Sequence, residues 1–453
     1  MIEFIKKNWL RILLGTYLLF LLLVYIWNVL HYSTYWAYDG GSHIDYIDSI
    51  LFSKTLPNSA KSYLSWHEPL YYLIQAVVAK VVMLFTDNRN LVLEILEMGS
   101  AFLIWFFVIL SASLSWLVSK KKSITFLVTI CVSGIFVVSE LGRYVTNESL
   151  FQVLILVWLN LFYLWKMYDK KNWNLFRWIS LIGLLAIILW TKLTGIVLLL
   201  ALCLWLVIYA FQIKDKKVVL LSFIIFFLSL FLYSPWLVYK KVVFDNVLTI
   251  NNYEVQSSER MDKKFFINWD ISIMRDPFWS SGKKSFLSMF IVSSLVDYDN
   301  IFQNYYNLSD KKIQTDNTRY INYNRWVESL VYFWWSIPLV FISIFGLIIF
   351  IWNVVKDNFI DKRFFLFILL FGLFSSLVYN VYRYPFVERG TLKSLFILVF
   401  FPILFLLGFE ELSKIKLKKI SYILFIAYMI FWLVFSFLNI ISTGPLVIGL
   451  PIY

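Results

Sequence analysis

Apolar stretches long enough to cross a bilayer recur along this sequence. A membrane-spanning helix needs about 20 predominantly apolar residues, and eleven segments of this chain approach that length. Their predicted limits are residues 10–30, 97–118, 124–141, 150–167, 177–193, 195–213, 218–239, 330–354, 364–382, 394–412 and 420–441. With 60% hydrophobic residues, the chain lies outside the range of soluble domains. The sequence therefore predicts an all-α polytopic membrane protein with about eleven transmembrane helices.

The net charge of +13 follows the topology of these spans. Residues 1–11 and five alternate loops, near 120–122, 166–177, 214–217, 356–363 and 410–419, hold 20 of the 41 lysines and arginines. The same segments hold only seven of the 28 acidic residues, so the entire surplus falls on one face. Cytoplasmic loops carry such an excess, which predicts a cytoplasmic N-terminus in a cell-membrane protein. The basicity thus indicates topology and gives no sign of a nucleic-acid partner.

The segments between the spans suggest three parts. Residues 1–239 form a transmembrane module with a first outer loop at 31–96, residues 240–329 form a large extracytoplasmic loop, and residues 330–453 form the C-terminal transmembrane helices. Within the first loop, 43–54 and 69–85 have the apolar faces of helices that lie along the outer membrane surface. Counting 69–85 as a span would turn Lys120 to Lys122 outward, against the charge rule.

Ionisable residues gather at the span ends opposite the basic face. They follow the first span and lie between the third and fourth, the fifth and sixth, and the ninth and tenth. These residues are Asp39, His43, Asp45, His67 and Glu68; Arg143 and Glu148; Lys192; and Arg383, Arg389 and Lys393. Because charged groups are costly near a bilayer, their convergence on one face indicates a functional site.

The types of these residues fit one kind of reaction. A carboxylate beside an acceptor hydroxyl can act as a general base, and arginine and lysine bind phosphate. A neighbouring apolar surface suits a lipid tail. Together they predict group transfer from a lipid phosphate at the outer surface.

Several of the motifs resemble those of GT-C glycosyltransferases. The resemblance rests on Tyr38-Asp39 after the first span, on His67-Glu68-Pro69-Leu70-Tyr71-Tyr72, on Thr146-Asn147-Glu148, and on Thr191-Lys192-Leu193-Thr194-Gly195. It covers roughly residues 30–240, and the pattern is most similar to protein O-mannosyltransferases and the lipid A aminoarabinose transferase. Gly40-Gly41 replaces the second acid that often follows the first in the family, and Glu68-Pro69 replaces its usual double proline.

This resemblance implies transfer of a sugar from a polyprenyl-phosphate donor to a glycan, lipid or protein acceptor, usually with inversion. It makes Asp39 the catalytic base, whereas a plain helix cap is the alternative role of that residue. Glu148 is expected to orient the acceptor or the base, and its alternative role is to cap the fourth span.

Each of the remaining candidates also has an ordinary alternative. Binding of the donor phosphate is assigned to the five basic residues Arg143, Lys192, Arg383, Arg389 and Lys393. The alternative is that these side chains only extend from helix ends toward the membrane–water interface. His43, Asp45, His67 and Glu68 are assigned to the acceptor or to support of the loop. A divalent cation on these four is disfavoured because their spacing matches no metal motif, so no cofactor is expected.

Three other functions remain open from the sequence. A transporter or flippase would show internal repeats and mid-membrane polar groups, neither of which is visible here. A lipid-linked glycan ligase or polymerase would share the outer charges without needing Asp39. A membrane scaffold or receptor would use the 240–329 loop and would leave the Asp39 region unexplained.

Overall fold

The computed structural model describes residues 2–31, 39–58, 64–143, 145–245, 263–274, 285–296, 312–315, 319–357, 359, 361–383, 394–415 and 419–441. Within them the chain is almost entirely helical. The helices are α1 (Ile2–Leu30), α2 (Gly40–Leu51), α3 (Leu70–Val82), α4 (Arg89–Ser119), α5 (Lys122–Gly134), α6 (Phe136–Leu141), α7 (Asn147–Leu164), α8 (Leu175–Thr191), α9 (Ile196–Gln212), α10 (Lys216–Phe244), α11 (Lys263–Ile267), α12 (Phe286–Leu295), α13 (Tyr323–Lys356), α14 (Phe364–Arg383), α15 (Phe400–Leu412) and α16 (Lys419–Ile440).

Eight helices among the described residues are long and apolar enough to cross a membrane. The other three predicted spans are also helical but shorter. The third is divided at Ile135 into α5 and α6, the fifth is the 17-residue α8, and the tenth is the 13-residue α15 preceded by the 3₁₀ turn Ser394–Ile397. The all-α membrane fold is confirmed, while the count of eleven crossings stays a prediction.

Loops that the charge pattern assigns to the same end of the bundle contact one another. At the basic end, Lys362 Nζ donates to the carbonyl of Val118 at 2.8 Å, and Lys121 Nζ contacts Ser413 Oγ at 2.9 Å. At the opposite end, Asn28 Nδ2 donates to the carbonyl of Ile440 at 3.0 Å. Loops assigned to one face therefore contact one another across the bundle.

The two helices predicted in the first outer loop are present as α2 and α3. α3 ends at Val82, and α4 begins at Arg89, eight residues before its predicted start. Asn88 explains this start, because its side chain accepts hydrogen bonds from the backbone of Asn90 and Leu91, as an N-cap does. Asp48 on α2 also forms an ion pair with Arg89, which joins the loop to α4.

The predicted large loop overlaps the helices on either side of it. α10 extends to Phe244 and α13 begins at Tyr323, so helices occupy both ends of residues 240–329. Between them lie α11, α12 and an antiparallel hairpin of β1 (Lys312–Thr315) and β2 (Arg319–Asn322). The ring of Phe290 on α12 lies 5.6 Å from those of Phe374 and Phe400. α12 therefore packs against α14 and α15.

Close backbone contact between α13 and α15 depends on two glycines. A Cβ atom added at Gly408 would lie 2.5 Å from the carbonyl oxygen of Ser343, and one added at Gly346 would overlap the backbone of Gly408. Small residues at helix interfaces allow such approach within membranes. This contact fixes the C-terminal helices against one another.

Candidate active site

Asp39 lies directly before α2 with a left-handed backbone, φ 56°. Aspartate is among the few non-glycine residues that adopt this conformation readily. Its carbonyl oxygen accepts a hydrogen bond from the backbone of His43 at 3.1 Å, which begins the helix. Its side chain makes no capping hydrogen bond to α2, a helix that is described throughout. The carboxylate therefore does not serve as the cap that was its alternative role.

Two histidines of the first outer loop meet at one tyrosine. The hydroxyl of Tyr72 lies 2.9 Å from His43 Nδ1 and 3.3 Å from His67 Nδ1. A tyrosine has a single hydroxyl proton, so it donates to one ring and accepts from the other, and the two imidazoles hold opposite tautomers. Tyr46 stacks on Tyr72 at 3.8 Å and donates to the carbonyl of His67 at 3.1 Å. These contacts hold α2, α3 and the turn before α3 together.

Both histidines are neutral near pH 7. Burial, together with the smaller effect of the nearby positive charge of Lys192, lowers the pKa of His43 to about 3. Burial also lowers the pKa of His67 well below its ordinary value, with Lys192, His43 and Lys240 acting in the same direction. Rings with such low pKa values are weak bases, which leaves the carboxylates as the proton acceptors of the cluster.

Glu148 and Lys192 form an ion pair between two helices. Glu148 lies in the first turn of α7, where Thr146 Oγ1 accepts from its backbone at 3.4 Å and the helix N-terminus favours an acid. Lys192 directly follows α8, and its Nζ lies 4.5 Å from the centre of the Phe396 ring. Burial lowers the pKa of Lys192 to about 7, although the carboxylate of Glu68 acts to raise it.

Glu68 connects the segment between α2 and α3 to the C-terminal part of α10. Its Oε1 accepts from the hydroxyl of Tyr233 at 2.9 Å and lies 3.5 Å from Lys240 Nζ. All three side chains are buried. Tyr233 and Lys240 are seven residues apart, so they share one face of α10. The predicted span ends at 239, one residue before Lys240, and so does not include this pair; a helix extended past 240 places both residues on one face.

These groups form one cluster at the end of the bundle opposite the basic loops. Lys192 affects the pKa values of both histidines, and Glu68 affects that of Lys192. Asp39 adds to the rise in the pKa of Tyr72, which is caused mainly by burial. The structure thus brings together six predicted site residues: Asp39, His43, His67, Glu68, Glu148 and Lys192. It adds Tyr72, Tyr233 and Lys240, which sequence reasoning did not assign to the site.

The remaining predicted site residues lie away from this cluster or outside the described residues. Arg143 is only 1% exposed, donates to the carbonyl of Ile440 and lies 5.6 Å from the ring of Phe136. Asp45 is on the exposed face of α2. Arg383 ends α14 with its side chain outside the described part, and Arg389 and Lys393 are not among the described residues. No group of three metal-ligating side chains occurs in the described ranges, and the expectation of no cofactor stays a prediction.

The arrangement combines two chemical capabilities. The ammonium group of Lys192, at the edge of the buried cluster, can bind an anionic ligand, because the Lys192 side chain is 16% exposed. An exposed carboxylate at Asp39, near the same cluster, can accept a proton from a hydroxyl. Such a cluster is suited to bind a phosphate next to a site of proton transfer.

Comparison with known proteins identifies the fold. No protein-family model matches the sequence, and no curated protein matches it. Among solved structures, ArnT from Cupriavidus metallidurans, bound to undecaprenyl phosphate, is similar with a TM-score of 0.54 at 11% identity, over 93% of this chain and 63% of that one. The oligosaccharyltransferase of Archaeoglobus fulgidus, tethered to an acceptor peptide, is similar with a TM-score of 0.54 at 11% identity, over 98% of this chain and 56% of that one.

The chain thus spans about three fifths of the length of these two proteins. Both are GT-C glycosyltransferases, so the resemblance predicted from the sequence is confirmed for the architecture. At this level of identity, the likeness concerns the course of the chain and does not extend to the site residues. The chain has the membrane fold that these GT-C enzymes share.

Proposed function

We propose that this protein is an integral membrane glycosyltransferase that moves a sugar from a polyprenyl-phosphate donor to an acceptor at the extracytoplasmic face. In this proposal Asp39 is the general base and Lys192 contacts the donor phosphate. The acceptor is a glycan, a lipid or a protein. The catalytic module comprises residues 1–239, and the N-terminus is cytoplasmic.

The observation that carries the proposal is the buried cluster around Lys192. Charged groups are expensive to bury in a membrane protein, yet Glu68, Glu148, Lys192 and Lys240 are brought together from four parts of the chain. They lie at the end of the bundle opposite the basic loops, near Asp39. A solved protein with this fold was crystallised with undecaprenyl phosphate, a ligand that carries the anionic group and the lipid tail that such a site requires.

The proposed reaction is one displacement at the anomeric carbon. The acceptor hydroxyl oxygen attacks that carbon while the bond to the phosphate oxygen breaks, and the bonding electron pair leaves with the polyprenyl phosphate. The hydroxyl proton moves to the carboxylate of Asp39. Attack from the face opposite the leaving group inverts the configuration, and Lys192 stabilises the negative charge on the departing phosphate.

The other residues of the cluster support these two groups. Glu148 holds the ammonium of Lys192, and Glu68 holds the loop on α10 through Tyr233. His43 and His67 are neutral hydrogen-bonding groups, which suits contact with hydroxyls of the sugar or acceptor. Asp45 remains a candidate for loop support. Arg383, Arg389 and Lys393 remain candidates for the phosphate, whereas the burial of Arg143 against Ile440 argues for a structural role.

A transfer assay tests the proposal. Purified protein in liposomes is supplied with a panel of polyprenyl-phosphate sugars, with and without candidate acceptors, and release of sugar from the lipid is measured. We expect release that requires an intact Asp39. If the lipid-linked sugar moved unchanged across the bilayer and was never released from its lipid, the protein would be a flippase and the proposed reaction would be wrong.

A further inference from the structure

A glutamine inside the bundle holds the C-terminal half of the chain against the site. Gln152 is fully buried on α7, one turn after Glu148 and on the same face. Its Nε2 donates to the carbonyl oxygens of Leu395 at 3.2 Å and Phe396 at 3.0 Å. Its Oε1 accepts from the backbone of Val399 at 3.1 Å. One amide side chain thus binds three backbone groups in or just after the 3₁₀ turn Ser394–Ile397.

The same turn carries the ring that faces Lys192. Phe396 belongs to the turn, and the Nζ atom of Lys192 lies 4.5 Å from the centre of its ring. An ammonium within about 6 Å of an aromatic ring is attracted by the ring face. Lys192 therefore has the carboxylate of Glu148 as one partner and the ring of Phe396 as another.

We propose that Gln152 is a positioning residue for Lys192, because it fixes the 394–397 turn and thereby holds the ring of Phe396 over the ammonium group. The inference rests on the proposed function only where it concerns phosphate binding, since the positioning itself is a property of the unliganded protein. It also adds a supporting element outside the proposed catalytic module of residues 1–239, namely the 394–397 turn before α15.

The alternative is that Gln152 only stabilises the bundle. Removing its amide leaves two carbonyl groups and one N–H group without that partner, which destabilises any buried region. Asn160 provides a matched control on the same helix. Its Nδ2 donates to the carbonyl oxygens of Leu110 at 3.0 Å and Leu156 at 2.8 Å, and it lies about two turns further from Glu148 than Gln152 does. Asn160→Leu therefore removes a buried amide of α7 without touching the turn.

The first experiment measures the access of water and reagent to Lys192. Protein in detergent is treated with an amine-acetylating reagent, and the rate of labelling at Lys192 is followed by peptide mass spectrometry, normalised to the exposed Lys80. We expect about fivefold faster labelling in Gln152→Met and in Phe396→Leu, the size of effect expected from loss of one cation–π contact. Asn160→Leu should label at the wild-type rate. Equal rates in Gln152→Met and wild type, or an equal rise in Asn160→Leu, would overturn the proposal.

Gln152→Asn is measured in parallel in case Gln152→Met does not fold. It keeps the amide but is one methylene shorter, so it cannot bind all three backbone groups in their present places. We expect a smaller increase in labelling, about twofold. No increase in a folded Gln152→Asn protein would also contradict the positioning role.

The second experiment separates this inference from the proposed function. Binding of undecaprenyl phosphate is measured for wild type, Gln152→Met, Phe396→Leu and the double variant. We expect each single variant to bind about tenfold more weakly, and the double variant no more weakly than either one, because both act on the same ammonium. Additive losses would overturn the positioning role and leave the proposed function standing. No binding by wild-type protein would count against the proposed function, while the labelling result would still decide the role of Gln152.

Discussion

Glu148 on α7 pairs with Lys192 at the end of α8, and this contact joins two helix ends that are 44 residues apart in the chain. The pair combines a cation at the edge of the buried cluster with a carboxylate from the first turn of a spanning helix. Asn147, the neighbour of Glu148, donates to the carbonyl of Thr191 at 3.4 Å, and Gln152 holds the 394–397 turn. The first two turns of α7 therefore organise the site.

Asp39→Asn should abolish transfer without unfolding the protein. The side chain of Asp39 is exposed and makes no capping bond to α2, so the charge of Asp39 is not needed to cap the helix. Loss of a general base typically lowers the rate by about 10²–10⁴-fold. The rate is measured by sugar release in liposomes, and Asp87→Asn, in the exposed turn after α3, serves as the control. An Asp39→Asn protein with near wild-type turnover would remove Asp39 from the mechanism.

Binding of a lipid phosphate should weaken as the pH rises. Burial lowers the pKa of Lys192 to about 7, so its side chain is charged below that pH and neutral above it. Affinity for undecaprenyl phosphate, measured between pH 6 and pH 9, should therefore fall through neutrality. In Lys192→Arg the guanidinium stays charged over this range, and the pH dependence should flatten. The same slope in both proteins would show that Lys192 is not the group that meets the phosphate.

Arg143→Met should lower stability and leave lipid-phosphate binding unchanged. Arg143 is buried, and its guanidinium binds the carbonyl of Ile440 and lies 3.4 Å from Ser139 Oγ. Removing it leaves buried groups without this partner, at a cost of about 1–3 kcal/mol. The thermal midpoint in detergent should fall by several degrees, whereas Lys80→Met on the exposed face of α3 should not change it. Reduced binding of undecaprenyl phosphate at an unchanged midpoint would return Arg143 to the phosphate site.

Gly408→Ala should separate α13 from α15. The added methyl group would meet the carbonyl oxygen of Ser343 at 2.5 Å, and such overpacking costs about 1–3 kcal/mol. The control is Gly183→Ala in α8, where an added Cβ meets nothing within 4 Å and helix propensity improves by up to about 1 kcal/mol. Thermal midpoints should move in opposite directions. Similar midpoints for the two variants would mean that the α13–α15 contact relaxes readily.

Most of the fold could be predicted from local sequence. Apolar runs located helical segments in the predicted spans, eight of which are long and apolar enough to cross a membrane among the described residues. The apolar faces of residues 43–54 and 69–85 located α2 and α3, because burial in lipid or at its surface imposes a pattern on neighbouring residues. The wrong helix boundaries lie where the apolar pattern of the sequence fades gradually into polar residues. The sequence placed the start of α4 at 97 and the end of α10 at 239, whereas the Asn88 cap begins α4 at Arg89 and α10 continues to Phe244.

From the sequence alone one can predict a helical membrane protein whose surplus of positive charge lies on one face and whose candidate site residues gather at the opposite ends of the spans. The tertiary structure decided which of those residues meet. Lysine and arginine at helix ends look alike in a sequence, yet Lys192 reaches Glu148 while Arg143 turns to the carbonyl of Ile440. The reason is physical: a buried charge takes whichever partner the packing of distant helices brings to it, and that choice depends on contacts that local sequence does not contain.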